Sequence, residues 1–436
     1  MDTRTKNQLR DLANKATEQQ DALYVAGGTV RDRWLGRDFR DIDLICRDAK
    51  YWAQWFSKHI QSNCVVLHDA PGQEVLRVPV NKIFFCDFCT RQGETQEEDL
   101  AHRDFTINAL AQPLGDFLDE KTELIDQFKG IQDLRDRIVR MLPGDPFGDD
   151  PLRMLRAFRQ AAVLEFTIEP DTMVAIKENC HRINLISSER ISQELLLLFS
   201  TQHPNIPGLL SSGLLSELMN NAGIILRNAE NLLGNWTNYQ TCWDTSLFPL
   251  SAHQKYYLDL LNDNAKRAQF GISLLFAHLD SKAANKFMKL YKFSNRQIEN
   301  VSATVQLCRA IHQYWEEAET LPPEALLYQS CTDFEEVFPQ ALLLAALSIQ
   351  SENLPNENWS IFIRSSFEFF INQYLPATKA EPLITGNDLQ DSFNLKPSPL
   401  FKTILEQLRE ARVLGSVTTR EQAETFIWKL IAKESS

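Results

Sequence analysis

Asp41 and Asp43 stand two residues apart in the sequence, just behind a glycine pair, Gly27-Gly28, and an arginine, Arg31. On a strand, residues i and i+2 point to the same face, so both carboxylates would lie side by side. Two hard oxygen donors in that arrangement suit Mg2+, which takes one or two carboxylates and fills its octahedron with water and substrate phosphates. Metal held this way activates an attacking hydroxyl and steadies a pyrophosphate leaving group. A solvated edge strand is the plainer reading of the pair. Asp is disfavoured in strands, however, and two of them flanking Ile42 in the otherwise apolar run DIDLIC need a reason, so metal binding is preferred. The glycine pair falls between a strand-like run and a helical one, where backbone N–H groups can approach a polyphosphate. Arg31, one turn into that helix, can pair with phosphate or brace a carboxylate.

Two further clusters carry polar groups at helical spacing. In His102-Arg103-Asp104-Phe105-Thr106-Ile107-Asn108, the side chains of Arg103, Asp104 and Asn108 form one stripe if the segment is helical. Asp104 and Asn108 are then i,i+4 neighbours that hold a ribose or brace the metal loop, and a solvated stripe is an equal reading. In Asp149-Asp150-Pro151-Leu152-Arg153, continuing to Arg156 and Arg159, proline suits a first helical turn and the acidic pair its start. An Asp acceptor and an Arg donor at fixed separation can read the Watson–Crick edge of a base, here Asp150 and Arg153, while Arg156 and Arg159 meet phosphates. A capping cluster with i,i+3 ion pairs explains the same residues without any ligand.

These residues need a frame. Leu9, Leu12 and Ala13 recur at helical spacing, ALYVAGG reads as a buried strand entering a turn, and a helix over 29–36, the strand DIDLIC, a helix over 49–60 and strands over 63–68 and 74–88 follow. QEEDLAHRDFTINAL reads as one helix, and LIDQFKGIQDLRDRIVRM as strand, helix and strand. After about Asp145 nearly everything is helical, through ERISQELLLLF, GISLLFAHL and ALLLAALSI, to a last helix that Thr418 or Thr419 can cap. The fold class is therefore α+β: a small mixed sheet with helices, then an all-α chain.

Composition narrows the field. With 436 residues, 44% hydrophobic and 24% charged, the sequence suits a globular protein of more than one domain. No apolar run approaches the roughly 20 residues of a spanning helix, and MDTRTKNQLRD lacks the apolar stretch of a signal peptide, so a cytoplasmic protein is expected. A net charge of −13 argues against an unspecific polyanion coat and leaves room for a local basic groove, since arginines are dense between Arg153 and Arg190. The eight cysteines are single except for Cys86 and Cys89, which sit in the strand-like IFFCDFC and read as packing residues rather than zinc ligands.

Taken in order, GGTVRD…DID, HRDFTINA, Asp126-x-x-x-Gly130-x-x-Asp133-Leu134, DDPLRMLRAFR and SERISQELLLLF resemble motifs A to E of the class II tRNA nucleotidyltransferase and bacterial poly(A) polymerase family, a polymerase-β-like branch. The likeness is strong over about residues 20–200 and returns in LITGNDLQ…KPSPLFKTILEQLREARVLGSVTTREQA. It implies a nucleotidyltransferase head (1–142), a neck that recognises the base (143–205), a helical body (206–375) and a tail that binds tRNA (376–436), in a seahorse-like outline with the acceptor arm along its concave side. It implies further that Asp41 and Asp43 bind Mg2+ as the catalytic pair, and that Gly27, Gly28 and Arg31 meet the triphosphate. Arg103 and Asp104 would contact the ribose or phosphates with Asn108, Asp150 and Arg153 would pair with the base, and Arg156 and Arg159 would complete the site. Its expected partners are the 3′ end of tRNA, CTP and, in some members, ATP. An A-form arm would be recognised by shape and backbone.

The chain departs from the family pattern at His102, where Arg is usual, at Asp149, where Glu is usual, and in the short connection CTRQGETQEEDLA before the second motif. Members that add all of CCA, or only the last A, carry a longer Arg–Pro-rich flexible loop there. CC addition from CTP is therefore the expected activity, with full CCA or A addition and poly(A) synthesis as alternatives and a non-catalytic RNA-binding relative as the rival of another class. Gly93 is the evident hinge of the short version.

Overall fold

The computed structural model describes residues 1–226, 229–244, 254–318, 320–348 and 357–434, in two units: Met1–Glu194 with Gln202–Leu218, and Leu195–Thr201 with Met219–Ser436. In the first unit, helix α1 (Thr3–Glu18) buries Leu9, Leu12 and Ala16 and is capped by the Asp2 side chain. Strand β1 (Tyr24–Ala26) runs into helix α2 (Gly28–Trp34), and β2 (Asp41–Cys46) follows it, buried at Ile42, Leu44 and Ile45. Helix α3 (Ala49–His59), capped by Asp48, leads to β3 (Val65–His68), β4 (Val75–Pro79) and β5 (Phe85–Thr90). The run over 74–88, expected as one strand, is two antiparallel ones, because the backbone turns at residues 80–84 to pair Pro79 with Phe85.

Helix α4 (Gln96–Ala101) and strand β6 (Ala111–Pro113) complete a six-stranded mixed sheet of order β3-β4-β5-β2-β1-β6. Its one parallel pairing joins β2 to β5 and sets Asp43 opposite Asp87. Cys86 and Cys89, three apart on β5, point to opposite faces, and burial pushes both thiols far up, that of Cys89 to about 12. Helices α5 (Leu114–Leu118), α6 (Gly130–Asp136) and α7 (Pro146–Asp149) follow, then the long α8 (Arg153–Leu164), α9 (Pro170–Asn179) and α10 (Ser188–Phe199).

HRDFTINAL is not a helix. Helix α4 ends at Ala101, and Phe105 is extended (φ −133°, ψ 153°) and bridges to Met141, while the Thr106 N–H donates to the Arg140 carbonyl at 3.0 Å. A single 3₁₀ turn, Thr106–Asn108, comes next. A backbone partner more than thirty residues away decided the conformation, and local spacing carries no trace of it.

The second unit is helical. Asn295–Ala318 packs with Ser281–Leu290, Asn264–Leu275 and Phe338–Leu347 around buried Phe287, Val301, Val305 and Leu344. A separate cluster of Ile384, Leu389, Phe393, Ile404, Leu408 and Ile427 is the core of its last helices. The final helix, Arg420–Glu434, is capped by Thr419: its hydroxyl accepts from Gln422 N–H while the Gln422 side chain accepts from Thr419 N–H. Among the described residues no helix is long and apolar enough to cross a membrane.

Candidate active site

Gly27 takes φ +70°, a conformation that favours glycine, and a Cβ there would sit 2.6 Å from Nη1 of Arg103 and 3.7 Å from Oδ2 of Asp43. The absent side chain thus leaves room where an arginine and an aspartate converge. Thr29, the second residue of α2, ties that turn to β2: its hydroxyl donates to the Asp41 carbonyl and accepts from the Asp43 N–H, each at 3.3 Å. Asp41 is exposed at the start of β2 and Asp43 is half-buried beside it.

Every site residue taken from the sequence lines one cleft of about 560 Å³: Gly27, Gly28, Arg31, Asp41, Asp43, Arg103, Asp104, Asn108, Asp150, Arg153, Arg156 and Arg159. Thr29, Asp32, Gln160 and Arg190 line it too, and sequence reasoning passed over them. Gln160 was legible only as the residue one turn past Arg156; Arg190 had a signal in the local arginine density.

The cleft divides into groups engaged with protein and groups left open. Arg31 is buried and makes four hydrogen bonds: Nε and Nη2 meet the Asp32 carboxylate at 2.8 and 3.0 Å, and Nη1 donates to Asn108 Oδ1 at 2.6 Å and Gln160 Oε1 at 3.1 Å. It joins α2 to the Thr106–Asn108 turn and to α8 while lining the cleft. Asn108 donates in turn to Asp104 Oδ1 at 2.8 Å, and Asp104 Oδ2 accepts from Arg156 Nε and Nη2 at 2.9 and 2.7 Å. Burial alone would raise the Asp104 carboxyl, but the Arg156 charge and the Asn108 hydrogen bond outweigh it and hold it below the usual range.

That pair is testable by stability. Asp104→Ala leaves the Arg156 guanidinium, about two-thirds covered, without its counter-charge, and frees Asn108. Breaking a fully buried pair costs about 3–5 kcal/mol, and partial exposure of Arg156 reduces this to roughly 2–3. Thermal unfolding of the variant should begin about 5–10 °C lower at pH 7. The difference should shrink as pH falls through the folded-state pKa of Asp104, below its ordinary 3.8, because a depressed carboxylate stabilises only while ionised.

Asp150 and Arg153 are not a pair. Asp150 is extended (φ −146°, ψ 96°) between α7 and α8, its Oδ1 accepts from Leu152 N–H at 3.2 Å, and its Oδ2 pairs with Arg190 Nη2 at 2.7 Å. Arg153 donates from Nη2 to the His102 carbonyl at 2.6 Å and from Nη1 to the Pro146 carbonyl at 3.4 Å. The break between α7 and α8, unseen in the sequence, separates the two side chains and lets each be braced from a different side. Arg159 Nε pairs with the buried Glu194 on α10.

The open groups converge on the glycine turn. Neither the Asp41 nor the Asp43 carboxylate accepts a hydrogen bond or forms an ion pair among the described residues. Burial pushes the Asp43 carboxyl up to about 6; Arg103 opposes the shift, and the charges of Asp41 and Asp87 add to it. Arg77 meets both oxygens of Asp87 at 2.7 Å, so that third acid is already engaged with protein. Arg103 touches Asp99 at 3.4 Å, and its Nε is buried without a partner.

Three comparisons bear on what such a cleft serves. Residues 23–140 match the model of the poly(A) polymerase head domain, 165–221 that of the RNA- and SrmB-binding site of polymerase A, and 267–425 that of tRNA nucleotidyltransferase domain 2. A CC-adding tRNA nucleotidyltransferase of Synechocystis is 28% identical over 417 residues, 93% of each chain. A CCA-adding enzyme of Pediococcus pentosaceus is 33% identical over 305 residues, 66% of this chain and 68% of that one. The chain belongs to the CCA-adding tRNA nucleotidyltransferase family.

It is thus a nucleotidyltransferase with the α+β head that the sequence implied. The fold matches the Thermotoga maritima CCA-adding enzyme, solved with tRNA, at a TM-score of 0.71 and 20% identity, over 99% of this chain and 96% of that one. The departure from the family at His102 changes little in the cleft, because its side chain is exposed and its main-chain carbonyl makes the Arg153 contact. Asp149 is exposed and does not line the cleft.

Two unpaired carboxylates on one strand face, one of them pushed up to about 6 by burial, are the donor set a hard divalent cation fits. Among the described residues no group of three or more His, Cys, Asp or Glu is placed to hold a metal, and a cation on two carboxylates would take water and substrate oxygens for the rest of its shell. Mg2+ is bound in that way; Zn2+ prefers a closed set of nitrogen and sulfur donors.

Proposed function

We propose that the chain adds cytidylate from CTP to the 3′ end of tRNA that lacks its CCA, releasing pyrophosphate, and stops after two additions. Asp41 and Asp43 hold Mg2+, which when bound lowers the barrier to attack by the tRNA 3′-hydroxyl and stabilises the leaving pyrophosphate. Gly27 and Gly28 let the triphosphate approach the chain, and Arg103, with a buried and unpartnered Nε, meets its charge. Asp150 and Arg153 present an acceptor and donors to the base, each held from behind by protein, so the template is side chains rather than nucleic acid. Residues 1–142 act as the catalytic head, 143–205 as the base-reading neck, and 206–375 and 376–436 as the body and tail that hold the tRNA, in the cytoplasm where that substrate is.

The observation that carries this reading is the single cleft in which the open Asp pair, the glycine turn, Arg103 and the braced Asp150 and Arg153 meet. It is tested by incubating the protein with Mg2+, tRNA ending at the discriminator base and each labelled nucleotide in turn, read at single-nucleotide resolution. Two cytidines from CTP are expected, and no extension by any nucleotide would overturn the proposal.

Base choice gives a finer test. A good base contact discriminates by about 1–3 kcal/mol, so Arg153→Ala should lower the preference for CTP over UTP by roughly tenfold or more and slow transfer. An unchanged preference in competition assays would leave Arg153 only as a brace for the His102 and Pro146 carbonyls.

A further inference from the structure

Gln160 stands on α8 one turn past Arg156 and is 5% exposed, yet it lines the cleft. Its Oε1 accepts from Arg31 Nη1 at 3.1 Å, which sets the orientation of the amide. Its Nε2 donates to no protein group among the described residues and is not sealed from solvent, and the residue's exposure is at the cleft it lines.

The neighbours of this amide are engaged with one another. Arg31 is held by Asp32, Asn108 and Gln160, Asn108 uses its carbonyl on Arg31 and its nitrogen on Asp104, and Asp104 faces Arg156. A ribose contact by Asp104 would have to compete with these bonds, and Asn108 keeps one N–H of its amide uncommitted. Gln160 has a donor that competes with nothing.

Its place also fits a sugar. A nucleotide with its triphosphate at Gly27, Gly28 and Arg103 and its base at Asp150 and Arg153 must lay its ribose along the wall between them. Gln160 is fixed to Arg31, one turn into α2 from Gly28, and shares α8 with Arg153 and Arg156. From this we propose, resting on the nucleotide-binding reading above, that the Gln160 amide donates a hydrogen bond to a hydroxyl oxygen of the incoming nucleotide's sugar and contributes to the choice of ribonucleotides. A sugar without that oxygen leaves the amide facing nothing.

The test uses Gln160→Met, which keeps length and volume and removes the amide, with CTP, 2′-deoxy-CTP and 3′-deoxy-CTP measured for binding and for single additions to tRNA. One neutral hydrogen bond is worth about fivefold. In the variant, CTP binding should weaken by about that factor with the maximal rate little changed, and the preference for CTP over one of the deoxy analogues should fall by the same factor, which identifies the hydroxyl. Equal weakening toward all three nucleotides would mean that Gln160 acts only through Arg31, and binding like wild type toward all three would mean that the amide contacts nothing; either overturns the proposal. A wild-type protein that binds none of them would overturn the nucleotide reading itself, a distinct result. Should Gln160→Met fail to fold, Gln160→Asn, which draws the amide back by one methylene, is read in the same way.

Discussion

Asp41→Ala and Asp43→Ala should each lose nucleotide transfer by roughly a thousandfold or more while binding tRNA within a few-fold of wild type. Loss of an outer partner of a metal ligand already costs about 10–100-fold, and removal of one of two protein ligands must exceed that. The carboxylates are open toward the cleft and hold no element of the fold in place: β2 is fixed through Ile42, Leu44 and Ile45 and through its backbone pairing to β1 and β5. Folding should therefore survive, and a gel-shift assay with tRNA beside a single-turnover assay separates docking from chemistry. Wild-type rates in both variants would remove the Asp pair from the active site.

The same pair predicts a pH dependence with a definite sign. Burial raises the Asp43 carboxyl to about 6, so in the folded protein without metal its protonated form is favoured, and the stability this contributes is lost as pH rises through about 6. A divalent cation replaces the proton. At limiting Mg2+, transfer should fall on the acid side with a midpoint near 6, roughly tenfold lower at pH 5 than its plateau, and added Mg2+ should move that limb to lower pH. Mg2+ should also raise the melting temperature at pH 7.5 more than at pH 5, a difference that Asp43→Asn removes. An acid limb indifferent to Mg2+ would assign it to another group.

How much of this was legible follows from where each interaction partner sits in the sequence. Asp41 and Asp43 could be placed because the alternation of DIDLIC, with Ile42 and Leu44 inward, is a local pattern that a sheet reads directly. The conformation of HRDFTINAL was not, because its strongest determinant is the bridge from Phe105 to Met141. Arg31 could be assigned to phosphate or carboxylate from its position, and only the fold shows the acceptors Asn108 and Gln160 that fill its Nη1. The separation of Asp150 from Arg153 likewise depends on Arg190 and on the carbonyls of His102 and Pro146, and on a helix break that a proline alone does not announce.

With tRNA already ending in CC, the protein should add almost no A from ATP, and the reason lies in how its short connection is tied down. A site that reads C and then A by the same side chains has to move between two arrangements, and something must bias that movement. Here only residues 91–95 join β5 to α4. Thr95 and Glu98 form a capping box, Glu98 Oε2 also accepts from the Glu94 N–H at 2.6 Å, and Asp99 Oδ1 accepts from the Gln92 N–H at 2.9 Å. Gly93, the expected hinge, takes φ +92° over the Glu98 side chain, where a Cβ would fall 2.6 Å from Oε2, so the turn needs glycine there. Asp99 extends the restraint to Arg103 at 3.4 Å, coupling the connection to the cleft itself. A segment this short, with the N–H groups of Gln92, Glu94 and Thr95 bound to Asp99 and Glu98 of the helix it precedes, is expected to resist the movement that would reshape Asp150 and Arg153 for a purine. The expected product from CTP and ATP together is therefore tRNA ending in CC, and efficient addition of A to that end would replace the CC-adding assignment with full CCA synthesis while leaving the cleft chemistry as described.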